Sequence, residues 1–138
     1  MTAVPALQKA LAAEHAAVYL YGVLGAQTSK SAQSALFHAI NRTYAAHRAV
    51  RDELTVMIGA HGADPVAALV DYAPPGPTDT PDQVRAVART VERRVGETYG
   101  ELVAHTSGRD RSWAVHALAA AALQAVTFGA RPTSFPGL

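Results

Sequence analysis

Apolar residues recur every three or four positions along four stretches of this chain, and this spacing predicts amphipathic α-helices. The second stretch is the longest, and a histidine lies in the middle of its apolar face. That face contains Leu36, Ile40, Thr43, His47, Val50, Leu54, Met57 and His61. Because a buried imidazole needs a hydrogen-bonding partner, we expect the rest of the chain to provide one for His47.

The first stretch places a carboxylate at a core position. Its apolar face consists of Leu7, Leu11, Glu14, Val18, Tyr21 and Gly25. A buried carboxylate must be paired. Residues equally far from the turn of an antiparallel hairpin lie side by side, so Glu14 is predicted to face the region of Tyr44 to His47.

The pattern predicts a single domain of four helices followed by an irregular tail. The expected spans are about residues 4–26, 31–60, 81–106 and 110–128, with the tail at 129–138. The fourth helix is apolar nearly all round, which is typical of a helix that is central or covered by another subunit. We therefore expect a homodimer formed through this helix or the tail.

The connection between the second and third helices is long and rich in proline, from Ala63 to Thr80. A loop of this length is uncommon in a compact domain unless it has to span a distance. If this connection crosses the length of the bundle, the acidic and histidine side chains of the two hairpins lie at a similar height along the bundle axis. The sequence thus predicts an all-α four-helix bundle, in which two antiparallel hairpins are joined by a long crossover.

Composition excludes several classes of partner. The chain has 138 residues, 12 basic and 11 acidic, and a net charge of +1, so no nucleic-acid partner is expected. The arginines at 85, 89, 93 and 94 fit a solvated helix face. No apolar run is long enough for membrane insertion. The absence of cysteines excludes disulfides and thiolate chemistry and suits a cytoplasmic protein.

Several segments carry a resemblance to a known family. Glutamates on the first and third helices and histidines on the second and fourth resemble the ferritin-like superfamily. The segment Ala12 to Tyr19, the segment Ala46 to Leu54 and the ending Phe135-Pro136-Gly137-Leu138 resemble the actinobacterial DUF4439 family of uncharacterised ferritin-like proteins. This resemblance covers nearly the whole chain and implies a fold rather than an activity.

The resemblance also implies where a metal would bind. Metal-binding members of the superfamily carry Glu on two helices and Glu-x-x-His on the other two. Glu14 matches the first position, and Glu97 or Glu101 the third-helix position. The two His motifs read Tyr44-Ala-Ala-His47 and Trp113-Ala-Val-His116. Aromatic residues replace both motif glutamates, so the carboxylates that bridge a di-iron pair are missing.

Three interpretations of these residues stay open. The first is a buried pair of Glu14 and His47, joined by Arg51 or Tyr44. The second is a single zinc, iron or manganese ion held by Glu14, His47, Glu101 and His116. The third is a small-molecule pocket lined by Tyr44, His47 and Trp113, with an unidentified ligand.

The functional prediction follows from what the chain contains. We find no phosphate loop, no nucleophile–base arrangement and no hydrolase motif, so no catalytic residue is assigned and no enzymatic activity is favoured. The prediction is a ferritin-like protein of unknown function with a degenerate, metal-free site and no cofactor, acting by interaction as a homodimer. The alternative is a metal-binding relative with one metal ion, serving as an oxidoreductase or in metal handling.

Overall fold

The computed structural model describes residues 2–138, which form four α-helices and contain no β-strand. The helices are α1 (Ala3–Ala26), α2 (Ser34–Ala60), α3 (Pro81–His105) and α4 (Gly108–Thr127). The predicted all-α four-helix bundle is therefore confirmed. None of the helices described has the length and apolar character needed to cross a bilayer.

Helices α1 and α3 form the centre of the bundle and run antiparallel. Near one end Lys9 Nζ lies 3.0 Å from Glu101 Oε1, and near the other the Tyr21 hydroxyl lies 2.7 Å from Glu92 Oε1. Helix α2 packs beside α1, and α4 packs beside α3. Contacts between α2 and α4 lie where α2 ends and α4 begins, as in the pair of His61 with Asp110.

The connection at 61–80 runs lengthwise along α1. Gln8, near the start of α1, donates to the carbonyl of Asp64 over 2.7 Å. The ring of Tyr19, further along α1, packs against Tyr72 with 5.7 Å between centroids. The two hairpin turns therefore lie at opposite ends of the molecule, and the predicted crossover is confirmed.

A capping box fixes the point where the crossover ends and α3 begins. The Gln83 amide donates to Thr80 Oγ1 over 3.2 Å, and the Thr80 amide donates to Gln83 Oε1 over 3.1 Å. Pro81 occupies the first turn, where its missing N–H leaves no hydrogen bond unmade. The capping box thus starts α3 at residue 81, where the third helix is expected to begin.

Helix α4 buries its small residues and exposes its larger ones. Its buried positions are Ala114, Ala117 and Ala121. Because alanine has almost no side chain, α4 approaches α3 closely. The larger apolar residues are left outside: Val115 is 48% exposed and Leu123 is 69% exposed.

The C-terminal tail packs on α3 through its backbone. Gly96 and Gly100 leave a shallow notch in α3, where a Cβ on Gly100 would lie 3.0 Å from the carbonyl oxygen of Gly137. The side chains of Phe135 and Leu138, by contrast, are 70% and 103% exposed. The tail therefore contacts the bundle through main chain and glycine rather than through these apolar side chains.

Candidate functional site

His47 lies in the core of the bundle between two carboxylates. Its Nδ1 is 2.5 Å from Glu14 Oε2, and its Nε2 is 2.6 Å from Glu92 Oε1. All three side chains are at most 3% exposed. Because carboxylates accept hydrogen bonds, both ring nitrogens act as donors, and His47 is therefore an imidazolium.

Two tyrosines complete what we call the core cluster, which consists of Glu14, Tyr21, His47, Glu92 and Tyr99. Tyr99 donates its hydroxyl to Glu14 Oε1, and Tyr21 donates to Glu92 Oε1 over 2.7 Å. The ring of Tyr21 also stacks on the imidazole, with 5.2 Å between centroids. Both oxygens of Glu14 are thus satisfied. Among the residues described, Glu92 Oε2 has no hydrogen-bond partner.

The electrostatics of the core cluster favour a charged histidine. Burial by itself lowers the pKa of His47, but hydrogen bonds to Glu14 and Glu92 and their negative charges outweigh it and raise the pKa to about 10. Burial, together with the nearby carboxylates, raises the pKa of Tyr21 and of Tyr99 well above the usual value. Both hydroxyls therefore remain protonated donors at neutral pH.

The proposed four-ligand set is not brought together. Glu101 lies at the edge of the α1–α3 contact, where it binds Lys9. His116 is exposed on α4, and its Nδ1 lies 2.7 Å from the carbonyl oxygen of Ser112. The reason is geometric: Glu101 and His116 project from the outward side of their helices, away from Glu14 and His47.

The other candidate residues lie outside the core cluster. Glu97 pairs with Arg93, and Arg51 with Asp52, on exposed helix surfaces. The ring of Tyr44 is covered by the guanidinium of Arg48 at 5.6 Å, rather than facing His47.

Trp113 contacts the core cluster through Tyr99. The two rings pack edge to face with 5.8 Å between centroids, and the indole N–H donates to Glu53. It also lines a surface cleft with Asp52, Glu53, Val56 and Met57. Tyr44, His47 and Trp113 therefore do not line one pocket.

Sequence reasoning missed Glu92 and Tyr99. The adjacent Arg93 and Arg94 make Glu92 read as part of a solvated face. A signal was nevertheless present, because one run of α3 positions repeats the spacing that identified Glu14. That run is Ala88, Glu92, Val95, Tyr99 and Leu102, and all five residues are buried.

The side chains of the core cluster are arranged as a hydrogen-bonded chain rather than around a central point. Two ligands that share one ion at 2.0–2.2 Å stay about 2.9 Å apart when they meet at a right angle. The 2.6 Å between His47 Nε2 and Glu92 Oε1 is the separation of a hydrogen bond and is shorter than that of two ligands of one ion. In residues 2–138 no group of three or more acidic or histidine side chains is arranged to hold a metal.

Comparison with known proteins decides the family. The family model described as "Domain of unknown function (DUF4439)" matches residues 6–138. The chain belongs to the DUF4439 family. A search of curated proteins gave no match for this DUF4439 chain.

A solved structure has the same architecture. It is the crystal structure of a conserved hypothetical protein, rv2844, from Mycobacterium tuberculosis, and it superimposes with a TM-score of 0.83 at 27% sequence identity. The match covers 90% of this DUF4439 chain and 92% of that chain. The similarity therefore extends over most of both chains.

Proposed function

We propose that this protein is a non-enzymatic, ferritin-like bundle that acts by interaction as a homodimer. The single lengthwise crossover between two hairpins supports the ferritin-like relationship, because ferritin-like bundles have one such connection. The observation that carries the proposal is the imidazolium of His47 held between Glu14 and Glu92. In this imidazolium both ring nitrogens of His47 carry a proton, and a metal ion could bind either nitrogen only after that proton had left. The cysteine-free composition fits a cytoplasmic location, which stays part of the proposal.

Metal analysis tests this proposal directly. Full-length protein purified without a histidine tag is expected to contain far less than one zinc, iron or manganese ion per chain. The variants Glu14→Gln and His47→Asn should then lower stability without changing the metal content, because each leaves a buried charge or donor unpaired. Stoichiometric metal that disappears in both variants would contradict the proposal.

The second candidate function is a single-metal protein that handles metal or transfers electrons. It is favoured by one observation: Glu14, His47 and Glu92 converge from three helices, and Glu92 Oε2 is left unpaired. A metal would first have to displace a proton from His47, so its affinity would increase with pH. Titration with zinc at two pH values distinguishes this candidate from the metal-free bundle.

The homodimer is proposed to form through the outer face of α4. Val115, Ala119 and Leu123 follow one another at four-residue spacing on this face, and each is exposed. A second copy of α4 packed on this stripe would remove it from water. Sedimentation should give twice the chain mass. Val115→Lys and Leu123→Lys should give monomers, whereas Val56→Lys on exposed α2 should remain dimeric.

A further inference from the structure

The single tryptophan of the chain, Trp113, connects the surface to the core cluster through one ring contact. Its ring is half-buried and lines the cleft beside Val56 and Met57, so it is open to solvent on that side. Its other side packs edge to face on Tyr99, with 5.8 Å between centroids. Tyr99 itself is only 2% exposed. Two oxidisable rings therefore lead in sequence from the surface to the core.

Each of these two rings has a carboxylate that accepts its hydrogen bond. The indole N–H of Trp113 donates to Glu53, and the hydroxyl of Tyr99 donates to Glu14. An indole or a phenol that loses an electron becomes strongly acidic, and its proton transfers to a base that lies within hydrogen-bond reach. Both rings thus have the proton acceptor that makes oxidation by one electron easier.

The charge of the core cluster favours uptake of the proton that Tyr99 would release. The imidazolium of His47 balances one carboxylate, so ionised Glu14 and Glu92 leave a net charge of −1 in a buried site. A proton that moves from oxidised Tyr99 to Glu14 removes this excess negative charge. It also leaves the oxidised ring neutral, so no unpaired buried charge is created.

These features distinguish Tyr99 from the other tyrosines. Within residues 2–138, only Tyr21 and Tyr99 donate their hydroxyls to carboxylates. The ring of Tyr21 packs against His47 and Phe128, neither of which is easily oxidised. The chain has no cysteine, so no thiol competes for the oxidising equivalent.

We infer that Trp113 and Tyr99 form a redox pair that takes one oxidising equivalent from a small organic radical and holds it in the core. The radical removes one electron from Trp113, whose indole proton moves to Glu53. Tyr99 then passes one electron to Trp113 and its hydroxyl proton to Glu14. The indole recovers its proton from Glu53. The products are the reduced anion of the organic radical, intact Trp113 and a neutral phenoxyl radical on Tyr99.

This redox pair goes beyond the proposed function. Electron transfer, metal content and dimer mass are independent readouts, so one can fail without the others.

Pulse radiolysis of the full-length protein tests the pair. The probe is the azide radical, because at neutral pH it oxidises tryptophan in preference to tyrosine. The absorbance of the Trp113 radical should decay as that of a tyrosyl radical appears. Tyr99→Phe should slow this transfer at least tenfold, whereas Tyr44→Phe, at the surface under Arg48, should keep the parent rate. Equal rates in the two variants would overturn the inference.

A variant that leaves the core cluster intact keeps the test decisive if Tyr99→Phe fails to fold. Tyr19→Phe, Tyr44→Phe and Tyr72→Phe together remove every tyrosine outside the core cluster. The transfer should keep the parent rate in this triple variant, and its loss would contradict Tyr99 as the acceptor.

Heavy water tests the movement of the proton without any variant. The transfer should be slower in D₂O than in H₂O, because the hydroxyl proton of Tyr99 moves to Glu14 together with the electron. The same rate in both solvents would contradict this step.

Discussion

At the scale of single residues, the core cluster has one charged donor between two charged acceptors in a site that excludes water. Hydrogen bonds that involve a charged group contribute about 1.5–3 kcal/mol, more than neutral ones. Each tyrosine hydroxyl adds such a bond to a carboxylate. Removing one partner therefore costs more than an ordinary polar contact, because the remaining charge stays buried.

Tyr99→Phe should lower the free energy of unfolding by about 1.5–3 kcal/mol, because Glu14 Oε1 loses its donor. Tyr44→Phe is the matched control, since its ring packs at the surface under Arg48. Its effect should stay within about 0.5 kcal/mol. Urea unfolding of both variants measures the difference, and equal losses in the two would argue against the role of the Tyr99 hydroxyl.

Stability should fall as the pH rises above neutral. The pKa of His47 is raised from 6.5 to about 10 in the folded protein. Its stabilising contribution is therefore complete below the unfolded pKa and is lost as the pH rises through the folded value. The free energy of unfolding should decrease by up to about 1.4 kcal/mol per pH unit across this window.

Urea titrations at several alkaline pH values measure this slope. In Glu92→Gln the decrease should end at a lower pH, because one of the two carboxylates that raise the pKa of His47 is gone. His116→Gln changes an exposed histidine and should keep the parent slope. A parent protein whose stability does not change between about pH 7 and about pH 9 would contradict an imidazolium in the core.

At the scale of the elements, α3 has two roles that depend on different residues. Glu92 and Tyr99 face α1 and α2 in the core cluster, whereas Gly96 and Gly100 form the notch that receives the tail. Gly137 has a φ of +84°, a left-handed conformation that favours glycine. The tail therefore depends on glycines at both sides of a close backbone contact.

Gly100→Ala should displace the tail, because the new Cβ would lie 3.0 Å from the Gly137 carbonyl oxygen. The bundle itself should stay folded, since alanine favours helix over glycine by about 1 kcal/mol. Limited proteolysis should then cleave within 129–138 faster than in the parent. Gly59→Ala is the control, because nothing lies within 4 Å of its added Cβ. A tail equally protected in both variants would contradict the notch.

At the scale of the whole molecule, the crossover decides which helices become neighbours. It places the two hairpin turns at opposite ends, so α1 and α3 pack antiparallel in the centre. The core cluster then joins α1 and α2 of one hairpin to α3 of the other. For this reason we expect the two hairpins to unfold together rather than as separate units.

The length of the crossover can be tested by deletion. The 25 residues of α3 extend about 38 Å, and extended chain covers about 3.3 Å per residue. Removing residues 65–70 leaves enough chain to span this length, whereas removing 65–76 does not. The shorter deletion should retain a cooperative unfolding transition by circular dichroism, and the longer one should lose it. Native behaviour of the longer deletion would refute a lengthwise crossover.

The periodicity of apolar residues was sufficient to predict the four helices and the facing positions of Glu14 and His47, and the length of the connection at 63–80 predicted the crossover. Within a hairpin, a short turn fixes which residues face each other, so counting from the turn works. The same reasoning could not identify the carboxylate of α3 that joins the core cluster. The resemblance offered Glu97 or Glu101 for that position, whereas the structure places Glu92 there.

The sequence by itself determined which segments are helical and where α3 begins, because these depend on local residue spacing. It also determined that Glu14 faces His47, because only a short turn separates α1 from α2. Tertiary packing alone decided that Glu92, rather than Glu97 or Glu101, reaches His47. The register between α1 and α3 is set by side chains packing across two hairpins, and a long flexible connection leaves that register open. The same packing leaves Glu92 Oε2 without a hydrogen-bond partner among the residues described.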